Sequence, residues 1–435
     1  MNRGQKRNLI TLASLILVVV LTLVVGFFVR GYRIDTGNKT LQPTGILSAN
    51  SVPEGAQVWI NGKLKTATNQ TINLSPGHYQ IEIKKPGFAT WKKTIIIERE
   101  VVSETNARLF PIAPDLKALS FTGANRPQIS PDGTKIVYFV ISEKESDNIT
   151  KEATIKENLS SNDQEEESEA VAALEPEENK IGLWLINLAE KPLGRSFQSR
   201  IFIQLRPDFN FEEAVIRWSP DSRKIIMIVP SSNNKKDYFL LDTNQSYDFT
   251  TPPLIGEREN LALKTLAEWQ EQNNLDFQQL FEELPEKFQD ILIDQAVNLV
   301  FSPDEQKILY QVKKEINLPE KFITREIIGT STQKENRQLK PGSWYVYDNK
   351  EDKNFLVLES QETEVSWFTT SRHLLITKKN LSIEVIEYDG QNQTTIYSGP
   401  FEDNYVFPFP SGKQLLILTS LNKNQPSDLY SISLE

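Results

Sequence analysis

Residues 128–139 read QISPDGTKIVYF, and this pattern decides the fold because it returns four more times along the chain. The other copies are RWSPDSRKIIMI from Arg217, VFSPDEQKILYQ from Val300, WFTTSRHLLIT from Trp367 and PFPSGKQLLIL from Pro408. In Ser-Pro-Asp-Gly, proline presets φ at the first central position of a turn, aspartate suits the second, and glycine relaxes the exit. Since apolar residues flank every turn, each copy predicts two buried strands joined by a tight turn.

Each copy is followed by a further apolar strand. These strands are GLWLINL from Gly182, YFLLDT from Tyr238, WYVYDN from Trp344, IEVIEYD from Ile383 and LYSISL from Leu429. A third, outer strand is predicted at 201–205, 355–359 and 394–398. The last unit has no outer strand of its own, so we expect Ala118 to Thr122 to complete it and remove an exposed sheet edge.

Repeated units of this kind predict a β-propeller over residues 112–435. Five blades are favoured, with six as the alternative if residues 107–122 contain more. The repeats resemble the WD-like propeller repeats of the TolB type, although the fourth and fifth copies lack Ser-Pro-Asp. That resemblance implies a binding platform, often in the bacterial envelope, and leaves the ligand open.

Two insertions interrupt the repeats. Residues 143–179 are rich in acidic and poor in large apolar side chains, which predicts a disordered, solvated loop. Calcium binding is the sharper alternative, but the spacing matches no ordered calcium loop. Residues 257–296 predict helices that break at Pro285, with an apolar stripe packed on the propeller or offered to a partner. The stripe comprises Phe277, Leu280, Phe281, Leu284, Phe288, Ile291 and Leu292.

The N-terminus carries an uncharged apolar run, LITLASLILVVVLTLVVGFFV, at residues 9–29. As a helix it would extend about 31 Å, close to a hydrocarbon core of roughly 30 Å. It predicts a single-pass transmembrane anchor between a cytoplasmic tail (1–8) and a linker (30–43), with the remaining chain extracytoplasmic. A cleaved signal peptide is the alternative, but those have shorter apolar cores.

Residues 44–111 predict a small antiparallel β-sandwich. Asn61-Gly62 is a hairpin signal, and apolar and polar residues alternate from Tyr79 to Lys84. The stretches SVPEGAQVWINGKLKTAT and LSPGHYQIEIKKPGFATWKK closely resemble the PEGA domain, which is named for the tetrapeptide at 53–56. The resemblance implies a surface-layer-like domain of exported or membrane-attached proteins, and it carries over no catalytic residues.

Composition excludes several kinds of site. The chain has no cysteine and two histidines, which excludes thiol chemistry and argues against a multi-histidine metal centre. Of the net charge of −10, most lies in the acidic insertion, so no basic face for nucleic acid is predicted. His78 is interpreted as an exposed turn residue and His373 as a solvated residue at a strand start. Trp59 and Trp91 are expected to pack in the sandwich, with carbohydrate stacking as the alternative.

No enzyme signature is present. The sequence has no nucleophile elbow, phosphate-binding loop or dinucleotide fingerprint. Asp132, Asp221 and Asp304 recur at equivalent turn positions, so we interpret them as turn formers and not as a hydrolytic carboxylate pair. We assign no catalytic, cofactor-binding or metal residues, and the binding residues are unknown.

The sequence therefore predicts an all-β, membrane-tethered, extracytoplasmic binding or scaffold protein of the bacterial envelope. The expected partner is an envelope protein or glycan, with no cofactor and no nucleic acid. The alternatives are a glycan-acting hydrolase or lyase and a purely structural envelope spacer.

Overall fold

The computed structural model describes most of the 435 residues. The described ranges are 3–29, 32–35, 40–121, 123–141, 182–189, 199–204, 213–230, 236–247, 259–324, 327, 331–360, 363–378, 382–402, 405–421 and 425–435. The acidic insertion predicted at 143–179 lies outside them. The chain forms two compact units. One contains residues 1–114, 280–399 and 434–435, and the other contains 115–279 and 400–433.

The N-terminal segment begins with helix α1 (Arg3–Val29). Among the described residues, none of the helices combines the length and the apolar character that a membrane crossing requires. The predicted transmembrane anchor at 9–29 is therefore wrong. The cytoplasmic location of the tail at 1–8 stays a prediction. The predicted linker at 30–43 contains an antiparallel pair, β1 (Tyr32–Asp35) and β2 (Thr40–Pro43).

The small β domain follows, with nine strands. They are β3 (Gly45–Ala49), β4 (Ser51–Val52), β5 (Gln57–Ile60), β6 (Lys63–Ala67), β7 (Gln70–Leu74), β8 (Gly77–Lys84), β9 (Trp91–Ile97), β10 (Val102–Glu104) and β11 (Ala107–Arg108). One sheet has the order β6-β5-β8-β9, and a second has the order β10-β3-β7. Asn61 and Gly62 both have positive φ, which gives the predicted hairpin its turn.

Two strand pairs depart from the antiparallel sandwich predicted for this domain. β10 runs parallel to β3, and β11 runs parallel to β4. The core of this domain is nevertheless formed by the apolar residues that alternate with polar ones along its strands, as the sequence predicts. Val58, Ile81 and Ile83 are fully buried there beside Trp91.

The repeats form five meander sheets, which we name the first to fifth sheets. The first has β13 (Asn125–Ile129), β14 (Lys135–Val140), β15 (Gly182–Asn187) and β16 (Ser199–Gln204), and the second has β17 (Val215–Trp218), β18 (Lys224–Pro230) and β19 (Lys236–Asp242). The third has β20 (Ala296–Phe301), β21 (Lys307–Val312), β24 (Trp344–Asp348) and β25 (Lys353–Leu358), with the small pair β22 (Ile316–Asn317) and β23 (Gln338–Leu339) between its strands.

The fourth sheet has β26 (Glu364–Trp367), β27 (His373–Lys378), β28 (Ser382–Glu387) and β29 (Thr394–Tyr397). The fifth has β30 (Val406–Pro408), β31 (Gln414–Thr419) and β32 (Asp428–Ser433). Its outer strand is β12 (Leu116–Ala118), which pairs antiparallel with β32. The prediction that a segment before the first repeat completes the last unit is confirmed, but the strand shares only Ala118 with the predicted range 118–122.

The Ser-Pro-Asp turns form as the sequence predicts. Ser130 Oγ donates to Asp132 at 2.5 Å, and Ser219 Oγ donates to Asp221 at 2.6 Å. Within the unit that holds the first and second sheets, Ser222 Oγ accepts the Asp132 backbone N–H at 3.1 Å. Ser222 has a φ of 58°, and the glycine at the same position of the first repeat, Gly133, has a φ of 69°. The turns thus join neighbouring sheets as well as strands.

The second insertion is helical, as predicted. It comprises α2 (Glu259–Glu282) and α3 (Glu286–Gln295), and Pro285 is the N-cap residue of α3. Phe288 and Leu292 of α3 are buried against the third sheet, with Leu284 beside them. In the other unit, Ala262 near the start of α2 packs on the second sheet. The apolar stripe of α3 is therefore used in packing, which was the simpler of the two interpretations.

Candidate functional site

A polar cavity lies within one unit, between the β domain and the third and fourth sheets. This junction cavity has a volume of about 430 Å³. One wall is β9 and the segment 98–106 of the β domain. The other wall is made by the strand-connecting turns near Asp304, Asp348, Arg372 and Asp389.

A buried ion cluster holds the two walls together. Lys93 of β9 forms ion pairs with Glu387 and with Asp389, the latter at 2.5 Å. The side chain of Lys93 is 11% exposed and that of Asp389 is 1% exposed. Burial opposes the charge on Lys93, but the two carboxylates outweigh it and raise the pKa of Lys93. Burial, together with the charge of Glu387, raises the pKa of Asp389.

Trp91 belongs to the same cluster. Its ring is 2% exposed in the core of the β domain, and its Nε1 donates to Glu387 at 2.5 Å. Asn392 Nδ2 donates to the same carboxylate oxygen at 2.8 Å. The predicted packing role of Trp91 is confirmed, and carbohydrate stacking on this ring is excluded by its burial. Trp59 is half-buried, with Lys84 Nζ 4.8 Å from its ring centroid.

The outer edge of β9 is covered by side chains of the sheets. Asn392 Oδ1 accepts the Lys92 N–H at 2.8 Å, and Thr332 Oγ1 accepts the Ile96 N–H at 3.3 Å. Gln333 Nε2 donates to the Thr94 carbonyl at 2.9 Å. The backbone groups of an edge strand are thereby satisfied without a further strand.

A second buried lysine lines the cavity on the side of the third sheet. Lys307 lies between Asp304, at 3.3 Å, and Asp348, at 3.8 Å. Asp304 also accepts the Ser302 hydroxyl at 2.5 Å, as the turn pattern predicts. Burial raises the pKa of Asp348 although Lys307 and two backbone N–H groups oppose the shift. Burial also raises the pKa of Glu351, which accepts the Ser331 N–H at 2.8 Å.

His373 is placed differently from the prediction. It does begin a strand, β27, but it is 3% exposed and lines the junction cavity. Phe110 and Phe368 pack edge-on against its ring, with centroids 5.5 and 6.4 Å away. Burial lowers the pKa of His373 to about 3, and nearby cations add to the shift. The solvated interpretation was wrong because the β domain covers this strand start. His78 is exposed as predicted, but it lies in strand β8 and not in a turn.

The three aspartates of the repeats are turn formers, as predicted. Asp132 and Asp221 remain within their own turns, and only Asp304 also lines the junction cavity. In the part of the chain that the structure describes, no group of three or more acidic, histidine or cysteine side chains is arranged to hold a metal. The site is a mixed polar cavity in which carboxylates predominate.

Comparison with known proteins identifies the domain that forms one wall. Residues 44–112 match the PEGA domain family. The predicted boundary at 111 is within one residue of that match. Most of the cavity's first wall, including β9 and Lys93, therefore belongs to the PEGA domain. No curated protein matches the chain.

Several solved structures show weak similarity to the chain. The TolB protein of Agrobacterium tumefaciens is 12% identical, with 72% of this chain and 73% of that chain covered and a TM-score of 0.20. TolB of Acinetobacter baumannii is 10% identical, with 82% and 60% covered and a TM-score of 0.22. The β-propeller domain of the Trilobed protease from Pyrococcus furiosus is 12% identical, with 90% and 85% covered and a TM-score of 0.17. The five sheets are blade-like by their own strand order, in which consecutive antiparallel strands lie side by side.

Sequence reasoning missed Lys93, Glu387, Asp389 and Glu351 as site residues. Lys93 and its partners are separated by about two-thirds of the chain, and a single sequence gives no signal for that pairing. One local signal was available. Glu387 and Asp389 end the strand IEVIEYD, where charged residues interrupt an otherwise apolar run.

Proposed function

We propose that this protein is an envelope-associated binding or scaffold protein, and that the junction cavity takes part in binding. The observation that carries the proposal is the cavity itself, which is enclosed by two walls that Lys93, Glu387 and Asp389 hold together. A preformed concave site with convergent polar groups is the usual form of a ligand site. The PEGA match supports an envelope setting. In this proposal the folded domains lie outside the cytoplasm, and the partner is a protein or glycan.

The proposal assigns binding and not catalysis to the chain. The aspartates that recur in the repeats are engaged in their turns, and the buried carboxylates Glu387 and Asp389 are engaged by Lys93. A glycan-acting hydrolase would need a carboxylate pair free to act on a substrate.

The test uses the purified full chain and isolated envelope glycan and protein fractions. We expect saturable binding to one fraction, without turnover of the glycans. Val102→Trp should weaken binding because Val102 lines the cavity and is 53% exposed. Leu64→Trp is the matched control, since Leu64 is also 53% exposed but lies on β6, away from the cavity.

Three results would contradict the proposal. Absence of saturable binding would favour a structural spacer, and glycan cleavage would favour a hydrolase. An equal effect of the two tryptophan variants would exclude the cavity as the binding site. Protease added to intact cells tests where the folded domains lie. We expect the protease to digest them, because the proposal places them outside the cytoplasm.

A further inference from the structure

We propose that Lys93 and Asp389 form an intramolecular isopeptide bond, with Glu387 as the acid–base catalyst. The bond joins Lys93 Nζ to Asp389 Cγ, and it links the PEGA domain covalently to the segment that follows the third strand of the fourth sheet. This inference does not depend on the proposed binding function. It is carried by the contact between three buried side chains and by the cavity beside them.

The nucleophile and the carboxyl group are in direct contact. Lys93 Nζ lies 2.5 Å from Asp389 Oδ2. Because a carbon–oxygen bond adds about 1.2 Å, Nζ is at most about 3.7 Å from Asp389 Cγ, and reacting groups are held about 3–3.5 Å apart before attack. The side chain of Lys93 is 11% exposed and that of Asp389 is 1% exposed, so little water separates the two groups.

Burial brings the cluster close to the protonation state that the reaction needs. It raises the pKa of Asp389, which favours the neutral carboxyl group that an amine attacks. The adjacent carboxylates raise the pKa of Lys93, so the lysine rests as an ammonium group. Glu387 Oε2 contacts Lys93 Nζ directly and is placed to take one proton from it. That single transfer leaves a neutral amine facing a neutral carboxyl group.

Hydrogen bonds orient both carboxyl groups. Trp91 Nε1 and Asn392 Nδ2 donate to Glu387 Oε1, at 2.5 and 2.8 Å, which leaves Oε2 for the proton exchange. The Gln391 N–H donates to Asp389 Oδ1 at 3.2 Å. This N–H stabilises the negative charge that develops on Oδ1 when the amine attacks. Oδ2, which faces the lysine, is therefore the oxygen that leaves.

The reaction is a condensation that needs no added reactant. The lone pair of Lys93 Nζ attacks Asp389 Cγ, and the new C–N bond replaces the bond from Cγ to Oδ2. Glu387 relays a proton to the departing hydroxyl, which leaves as water into the junction cavity that all three side chains line. Of the three ammonium protons and the one carboxyl proton, one stays on the amide nitrogen, two leave in the water and one ends on Glu387.

The experiment measures the intact mass of the purified full chain under denaturing conditions. We expect the chain to be lighter by one water molecule than the mass calculated from its residues. A tryptic digest should contain one branched peptide that joins Lys93 to Asp389. Lys93→Arg keeps a cation between the two carboxylates but lacks a nucleophilic amine, so this variant should retain the calculated mass.

Glu387→Gln tests the catalyst. The linked fraction is followed by intact mass after cell-free synthesis of the full chain. Glutamine accepts no proton from the lysine, so the rate of cross-linking should fall by about 100-fold or more. Each variant is first shown to unfold cooperatively in urea, so that a lost cross-link reflects the chemistry and not the fold.

Two exposed ion pairs of the same chain are matched controls. Lys84 lies 2.5 Å from Glu82, and Lys378 lies 2.6 Å from Glu384, but both lysines are 39% exposed. These contacts are as close as the contact of Lys93, and water reaches them. Their peptides should be recovered without a link, because contact without burial does not favour the neutral amine and carboxyl group.

A chain of unreduced mass, or a digest without the branched peptide, would overturn the inference, and neither result depends on the folding of a variant. Loss of water that persists in Lys93→Arg would also overturn it, because the lysine would then take no part. An unchanged rate in Glu387→Gln would refute the role of Glu387. The proposed function is decided separately, by binding to the envelope fractions.

Discussion

The ammonium group of Lys93 lies 2.5 Å from a carboxylate oxygen of Asp389, although the two residues are 296 positions apart. Lys93 belongs to the PEGA domain, and Asp389 follows the third strand of the fourth sheet. The neighbouring Glu387 accepts hydrogen bonds from Trp91, which belongs to the PEGA domain, and from Asn392, which follows the third strand of the fourth sheet. The PEGA domain is thereby docked on this sheet through buried polar groups.

Replacing Lys93 by methionine should destabilise the protein by about 3–5 kcal/mol, because two buried carboxylates would lose their cation. Lys84→Met is the control. Lys84 pairs with Glu82 at 2.5 Å but is 39% exposed, so its loss should cost less than about 1 kcal/mol. Urea unfolding of both variants measures the difference. Equal losses would show that burial of the Lys93 cluster contributes nothing to stability.

His373 makes stability depend on pH. Its pKa is about 3 in the folded chain and near the ordinary value of 6.5 when unfolded. As the pH falls below about 6.5, His373 is protonated in the unfolded state but stays neutral in the folded state. The free energy of unfolding therefore declines until about pH 3. Between pH 7 and pH 5 the loss should be about 2 kcal/mol.

His373→Gln isolates this contribution, since glutamine keeps a polar side chain but does not titrate. Unfolding free energies of the two proteins are measured at pH 7, 6 and 5, and the quantity compared is their difference. That difference should shrink towards low pH because only the histidine protein loses this stability. A pH-independent difference would contradict neutral burial of the imidazole.

Ser222 supports the turn of the first sheet by accepting the Asp132 N–H at 3.1 Å, and its own φ is 58°. Ser222→Ala should cost about 1–2 kcal/mol through the lost hydrogen bond. Ser222→Gly loses the same bond but relieves the positive φ, so it should be about 1 kcal/mol more stable than the alanine variant. Thermal unfolding ranks the two variants. The reverse ranking would refute this account.

The closing strand β12 offers a test of the fifth sheet. Lys117 pairs with Ser431, and the flanking bonds Ser433 N–H to Asp115 O and Leu119 N–H to Leu429 O place the Lys117 N–H towards β32. Lys117→Pro should therefore destabilise the sheet by about 3 kcal/mol, whereas Leu116→Pro, with its N–H facing away, should be tolerated better. Hydrogen exchange at β32 and urea unfolding report the effect. Equal tolerance would argue against the pairing.

The strands and turns were largely predictable because their signals are local. Ser302 and Asp304 carry a complete turn signal, and Pro285 marks the break between two helices. The closing strand was predictable because the last repeat lacks an outer strand and a spare strand precedes the first repeat. The parallel pairs β10–β3 and β11–β4 were missed because a strand pattern does not specify direction.

The errors at the site and at the N-terminus have physical causes. His373 aligns with Lys135 and Lys224, which are half-buried and exposed. A separate domain covers His373, and the repeat pattern contains no information on that neighbour. Lys93 appears in its own segment as an ordinary strand lysine. At the N-terminus, an uncharged run of sufficient length predicted an anchor that the described helices do not provide.

The long separation between Lys93 and its carboxylates has a consequence for synthesis. At roughly 5–20 residues per second, a ribosome needs about 15–60 s to proceed from Lys93 to Asp389. During that interval the nascent PEGA domain has its lysine unpaired. The backbone groups of β9 stay open for most of it, because Thr332 and Gln333 are made late in the interval and Asn392 after it. A translating polysome is therefore where this strand is most open to pairing with the wrong chain.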